Sequence, residues 1–374
     1  MSDLSSLSTP RVVVDRSKVR ANISRMQSRA SAAGVRLRPH AKTHKSPIIA
    51  RWQIEAGAAG VCCAKLGEAE VFADAGIDDI RLPYPINPAN ASRVLALLNR
   101  IRLSIVVDDL EVARQWSERM VAAGRQLDVL VKVDVGTHRC GIDPDSPRAL
   151  DIVRDVAGLA GLHFRGLLSH AGHSYLADSP ADVEAVARQE IEILRHLTSR
   201  AREAGIEVAE ISVGATPTAR CIGGQHGVTE MRPGNYVFFD RTQVGLGAAA
   251  LDDCAMMVVS TAVSRPAPTR VIFDAGSKTL TSDGARGFGS HPGYGLVFPS
   301  LATRTPDPAI VIERLSEEHA TAQLPASSPL KPGDRVRILP NHSCVVTNLA
   351  DELLLVEGST IVDRLPVAAR GRNT

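Results

Sequence analysis

The sequence predicts a closed parallel (β/α)8 barrel of the TIM type followed by an antiparallel β domain. Eight β-rich runs alternate with helical patterns over roughly 210 residues, which suits a closed barrel better than an open doubly wound sheet. After Leu246 the texture changes to short Val- and Ile-rich runs separated by Pro, Gly and Ser clusters, as in an antiparallel sheet. No GxGxxG or GxxxxGK[ST] follows an early strand, which weighs against a nucleotide-binding sheet.

The expected barrel strands are Val35–His40, Gly60–Ala64, Asp79–Pro83, Arg102–Asp108, Asp128–Asp134, Phe164–His170, Glu210–Gly214 and Met231–Asp240. Between them lie helical patterns at Pro47–Ala56, Leu66–Ala75, Asn90–Asn99, Glu111–Ala123, Pro147–Ala157 and Ala181–Ala204. Several stop at a glycine (Gly57, Gly76, Gly124, Gly205), the usual residue just past a helix end. The second domain should use Ala255–Ala262, Arg270–Asp274, Ala309–Arg314, Ala320–Leu324, Arg335–Leu339, Glu352–Val356 and Ser359–Pro366. Residues 1–246 are thus expected to form the barrel and 247–374 the β domain, with the early run Arg11–Asp15 free to pair with the latter.

Composition narrows the function. The chain has 374 residues, 44% hydrophobic and 22% charged, ordinary values for a protein with a real core. A net charge of +2 from 43 basic and 41 acidic side chains gives no case for nucleic acid or an anionic membrane, and leaves small polyanionic ligands open. The first residues, MSDLSSLSTP, have no apolar signal region, and no apolar run approaches the ~18 residues of a spanning helix. A soluble, cytoplasmic protein is expected. Six cysteines form no CxxC and no disulfide framework; most read as buried thiols, with Cys344 set apart.

Lys42, in RLRPHAKTHKSP, sits just past the first strand end, before a helix opened by Ser46-Pro47. Arg38, His40, His44 and Lys45 flank it, and such cations push an amine's pKa down, as a Schiff-base lysine requires. The alternative is a basic, solvated turn. In a barrel of this kind chemistry collects at the carboxyl ends of the strands. Strand five there ends in His138-Arg139-Cys140-Gly141, and strand six in His170, with His173 and Tyr175 beyond it. Gly214-Ala215-Thr216-Pro217-Thr218 and Gly234-Asn235 follow strands seven and eight as small, donor-rich turns suited to a phosphate. A phosphate grip opposite a lysine, with Arg and His between, describes pyridoxal phosphate. The alternative for the arginines is a surface ion pair, and for His170 a satisfied core histidine.

RPHAKTHKSP, VDVGTHRCG, SHAGHSY, SVGATPT, RPGNYVFFD and PNHSC, spanning residues 38 to 344, together resemble the fold-type III pyridoxal-phosphate enzymes. Within that group of alanine racemase-like barrels they are most similar to the D-threonine aldolase and D-serine dehydratase branch. The resemblance implies that Lys42 carries the cofactor. It places Arg139 near the 3′-oxygen and the substrate carboxylate, His170 against the pyridine ring and Arg232 at the pyridine nitrogen. It also has Gly214, Ala215, Thr216, Gly234 and Asn235 cup the phosphate, with Tyr236 beside it.

His342 and Cys344 in PNHSC are two apart, so on an extended segment they would face one side; imidazole and thiolate suit Zn²⁺ and leave positions open. In the family context the pair implies a divalent metal, Zn²⁺ or Mn²⁺ or else Mg²⁺, that holds a substrate β-hydroxyl. Some aldolases of the family carry His and Asp there, so Cys344 tilts the metal towards zinc and the relationship towards the dehydratases. The resemblance implies a lyase acting on β-hydroxy-D-amino acids, in a homodimer. Retro-aldol cleavage of D-threonine-like substrates to glycine and an aldehyde is the first expectation. Dehydration of D-serine or 3-hydroxy-D-aspartate to an α-keto acid and ammonia is the alternative, with a racemase, a non-catalytic carrier and a sugar-phosphate barrel enzyme behind it. His173 or Tyr175 is the expected proton carrier. GFGSHPGYG with His291 and DAGSKTLTSD with Asp274 and Asp283 read equally as loops over the site or turns of the β domain.

Overall fold

A computed structural model describes residues 3–223 and 227–374; Met1 and Ser2 of the N-terminal stretch lie outside the described residues. Strand β1 (Arg11–Asp15) comes first. The parallel sheet follows as β2 (Arg36–Leu37), β3 (Val61–Cys62), β4 (Asp79–Pro85), β5 (Arg102–Val107), β6 (Leu127–Lys132), β7 (Leu162–Leu168), β8 (Glu210–Val213) and β9 (Glu230–Met231). Their order in the sheet is β2-β9-β8-β7-β6-β5-β4-β3. The two ends then meet, because His40 bridges Cys62 in parallel and the Cys62 N–H donates to the Pro39 carbonyl at 2.8 Å. A TIM-type barrel results.

Side chains alternate in and out along each strand. On β6, Leu127, Val129 and Val131 join the large core under the helices, while Leu130 meets Val106 and Leu168 in a small cluster of its own. Below lies a buried ionic knot. Glu230 accepts from Arg38 at 2.8 Å and Arg81 at 2.5 Å, and Arg81 also donates to Glu210 at 2.8 Å. Burial alone would raise the Glu230 carboxyl; Arg81 and Arg38 outweigh it and hold it at about 2.

The remaining strands are β10 (Met256–Ala267), β11 (Arg270–Phe273), β12 (Leu296–Phe298), β13 (Val311–Leu315), β14 (Ala320–Gln323), β15 (Arg335–Leu339), β16 (Glu352–Glu357) and β17 (Thr360–Pro366). They and β1 form a nine-stranded sheet. Its pairings are antiparallel except for β1 with β16. Among the described residues no helix is long and apolar enough to cross a membrane.

Two local expectations need correction, and one helix is additional. The run Met231–Asp240 is not one strand: pairing ends at Met231, and a 3-10 turn (Asn235–Val237) and a short helix (Arg241–Gly245) follow. Pro233 has no N–H for the ladder, and Asn235 turns inward to Asp240. PNHSC is not extended either, because His342 caps the helix Ser343–Leu349 and Cys344 lies in its first turn. The helix Arg16–Ala32, outside the patterns above, buries only Val19, Asn22, Ile23, Met26 and Ala30, too thin a stripe to stand out in sequence.

Candidate active site

A cavity of about 870 Å³ opens at the carboxyl ends of the barrel strands. Lys42, Arg139, His170, His173, Tyr175, Ala215, Thr216, Arg232, Gly234, Asn235, His342 and Cys344 all line it. Gly214 contributes from behind, since its carbonyl accepts from His170 Nδ1 at 2.9 Å. Tyr236 does not reach the cavity. It is fully buried, and its hydroxyl accepts from Gln53 at 3.0 Å, because the turn at Asn235 points the ring inward.

Lys42 sits in the 3-10 turn Ala41–Thr43. Its amine is held below the ordinary value first by burial and then by Arg139 and Arg232. The sequence neighbours are not the cause. Arg38 turns down to Glu230, Lys45 pairs with Glu68 at 2.8 Å, and His44 bonds Gln53 at 3.2 Å. The cations that matter come from strand ends far away in sequence.

The turn carrying Arg139 is shaped by Asp134, whose Oδ1 accepts from the N–H groups of Gly136 and His138, both at 3.0 Å. Gly141 closes it at φ +121°, where a Cβ would lie 2.5 Å from the Asp134 nitrogen. Arg232 is fixed by Ser212, which accepts from Nε at 2.8 Å, and by the Ser169 carbonyl. His170 stays neutral, since burial and then Lys42 push it well below the usual imidazole range.

The far wall comes from the second sheet's domain. Thr43 Oγ1 lies 3.2 Å from Cys344 Sγ, which joins the lysine's turn to the His342–Cys344 pair. His342 Nδ1 and Asp283 Oδ2 are 2.7 Å apart, and the ring also bonds Cys344. Burial would raise the Cys344 thiol, but His342, Thr43 and Lys42 bring it below its ordinary value. Burial would lower His342; Cys344, Asp240 and Asp283 raise it to about 10. The Tyr175 phenol faces Cys344, Asp240, Gln243 and Thr216, and stays protonated because burial and then the Cys344 and Asp240 charges oppose its ionisation.

The residues fit both groups implied by the resemblance. Among the described residues, Thr216 Oγ1, Asn235 Oδ1, Gln243 Nε2 and Oε1, and His173 Nε2 are buried at this cavity without a partner, as a polar ligand's site requires. The Thr216 and Gly234 backbone N–H groups also find no acceptor among those residues, so the phosphate turns are open. A Cβ on Gly234 would come within 3.0 Å of His40, closing that approach. For a metal, His342 Nε2 and the Cys344 thiolate offer a borderline-soft pair, with Asp283 orienting the imidazole in the carboxylate–histidine manner. No third His, Cys, Asp or Glu joins them among the described residues, so water and substrate would complete the shell.

Sequence reasoning missed Asp240. This buried carboxylate accepts from Asn235 Nδ2 (2.6 Å), Ser343 N (2.9 Å), Ser343 Oγ (3.2 Å) and Gln243 N (3.0 Å), pinning the Asn235 turn to the segment of His342 and Cys344. Asp240→Asn puts an amide where the donors converge, and we expect metal affinity to fall about 10–100-fold, measured by chelator competition. The two ends of DAGSKTLTSD separate: Asp283 lines the cavity, whereas Asp274 bonds Ser260 and Thr261 inside the β domain, and GFGSHPGYG with His291 is not among the lining residues.

A parallel barrel with a depressed lysine at one strand end, opposite open phosphate turns, defines a fold-type III pyridoxal-phosphate enzyme. Residues 14–242 match the alanine racemase N-terminal domain, and residues 255–356 a putative serine dehydratase domain. A D-threonine aldolase of Arthrobacter sp. is 33% identical over 98% of this chain and 94% of its own. A D-threo-3-hydroxyaspartate dehydratase of Delftia sp. is 36% identical, covering 91% and 92% of the two chains. Two solved D-threo-3-hydroxyaspartate dehydratase variants, each 33% identical, superpose over 98% of this chain. A histidine-to-alanine variant does so over 96% of its own chain (TM-score 0.92), and a cysteine-to-alanine variant in the metal-free form over 99% (TM-score 0.91). The chain belongs to the D-threonine aldolase and D-serine dehydratase family of pyridoxal-phosphate lyases.

Proposed function

We propose that this lyase dehydrates β-hydroxy-D-amino acids such as D-serine and 3-hydroxy-D-aspartate, giving an α-keto acid and ammonia. The observation that carries this is the 3.2 Å contact of Thr43 with Cys344, which ties the turn of Lys42 to His342 and Cys344, while the protonated Tyr175 phenol faces Cys344 across the same cavity. Elimination breaks bonds at adjacent carbons, so it needs a base at Cα and an acid at the β-oxygen side by side. Lys42, its pKa held down, takes the Cα proton. Tyr175 gives its proton to the departing hydroxide. When bound, pyridoxal phosphate supplies an electron sink at Cα, and a divalent ion on His342 and Cys344 supplies a Lewis acid at the β-oxygen. Arg139 holds the substrate carboxylate and His170 the cofactor ring. The solved relatives altered at a histidine and at a cysteine, the latter metal-free, support the metal role of the same residue types here. The homodimer belongs to the same proposal.

Retro-aldol cleavage is the second reading, favoured by His173. Thr137 Oγ1 donates to the His170 carbonyl at 2.7 Å, so at 3.4 Å it can only accept from His173 Nδ1. That leaves the buried Nε2 as a lone-pair base, and burial keeps the ring neutral. Such a base could take the β-hydroxyl proton. The test supplies pyridoxal phosphate and Zn²⁺ or Mn²⁺ with D-serine, 3-hydroxy-D-aspartate or D-threonine, and assays keto acid, ammonia, glycine and aldehyde. Keto acid and ammonia support dehydration; glycine and acetaldehyde without keto acid overturn it. Tyr175→Phe should lower keto acid formation about 10²-fold and His173→Ala leave it within threefold, whereas cleavage would reverse that order.

A further inference from the structure

Lys132 takes no part in the proposed reaction, yet its position asks for a role. It ends β6 on the inward parity of Leu130, above the Leu130–Val106–Leu168 cluster, and lines the cavity. Only 2% of it is exposed. Among the described residues its ammonium makes no hydrogen bond or ion pair. The two acids acting on it are engaged elsewhere: Asp108 accepts from the Gly141 N–H at 2.8 Å, and Glu190, on the helix Pro180–Glu203, accepts from Ser169 Oγ at 2.6 Å and the Gly214 N–H at 3.3 Å. A buried amine without a partner is costly unless a bound group completes it.

The surroundings specify the charge of that group. Arg232 reaches the same space from the end of β9, Arg139 and Cys140 from the loop after β6, and Asp108 from the end of β5. His170, after β7, stands between Lys132 and Lys42 in its electrostatics, since both push it down. Burial, and then Arg232, bring Lys132 down to about 8, so an arriving anion would restore its full charge.

We propose that Lys132 is a ligand-binding residue whose ammonium holds an oxyanion of the bound cofactor or substrate, in the part of the cavity it shares with Arg139 and Arg232. This rests on the pyridoxal-phosphate reading of the cavity. The oxyanion is either an oxygen of the cofactor itself or the substrate carboxylate, and the two are separable.

The test compares wild type with Lys132→Met, which keeps length and removes charge. Cofactor is stripped and pyridoxal phosphate titrated back while the visible absorbance is followed across pH; kcat and KM are then measured. If the anion is on the cofactor, its affinity falls about tenfold, and the midpoint of the pH-dependent band moves to higher pH, because a lost cation no longer favours the anion. If the anion is the substrate carboxylate, the spectrum and affinity stay and KM rises about tenfold with kcat within threefold. Either result supports the assignment. Unchanged spectrum, affinity and KM overturn it, as does a lower Tm of the stripped protein with those readouts intact, which would mark a structural lysine. Wild type that gains no visible band with pyridoxal phosphate instead defeats the reading of the cavity, a separate failure.

Discussion

Lys42→Ala should remove the visible absorbance of the cofactor-loaded protein and lower turnover by on the order of 10³- to 10⁴-fold. Two effects would combine, since in the proposed function Lys42 both carries the cofactor and moves the Cα proton, and neither neighbouring lysine is placed to substitute. Lys132 lies at the end of another strand, and Lys45 is committed to Glu68 and the Ala369 carbonyl. The fold should persist, because the alanine removes a buried amine that no ion pair satisfies. Absorbance near the cofactor band and single-turnover product formation measure the loss. Full turnover with an intact visible band would overturn the assignment.

The second large effect is expected at the metal pair. His342→Ala or Cys344→Ala should lower turnover by roughly 10²- to 10³-fold, the worth of a Lewis acid at a leaving oxygen, with the cofactor band retained. Chelator treatment of wild type should reproduce the loss, and Zn²⁺ or Mn²⁺ should restore wild type but not the variants. Elemental analysis of the purified proteins reads the same claim without activity. Variants that keep both metal and turnover would exclude this pair as the ligands.

Much of this was legible in the chain. The alternation of apolar runs and glycine-stopped helices encodes the barrel, and parity along a strand fixes what points inward. The strand-end motifs assembled into one cavity because a parallel barrel gathers all carboxyl ends at one mouth. What stayed hidden depends on distance across the fold. The cause of the Lys42 shift was expected among neighbours such as Arg38 and Lys45, but both are occupied elsewhere, and Arg139 and Arg232 act instead. Asp240 gave no signal at the end of an apparent strand, because its importance is the convergence of Asn235, Gln243 and Ser343. Lys132 stands out in the sequence as a charge inside the apolar run VLVKVDV, a departure from a buried strand's pattern.

Strand β1 has a consequence for modularity. It lies between β10 and β16, so residues from before the barrel sit in the middle of the sheet made after it. The two parts cannot be exchanged as cassettes. A barrel cut free after residue 246 would carry Val12, Val13 and Val14 on a strand bare along both edges, an invitation to aggregate. The remainder would have a gap in its sheet. Recombination that swaps the half carrying His342 and Cys344 between relatives must therefore carry this short N-terminal strand with it.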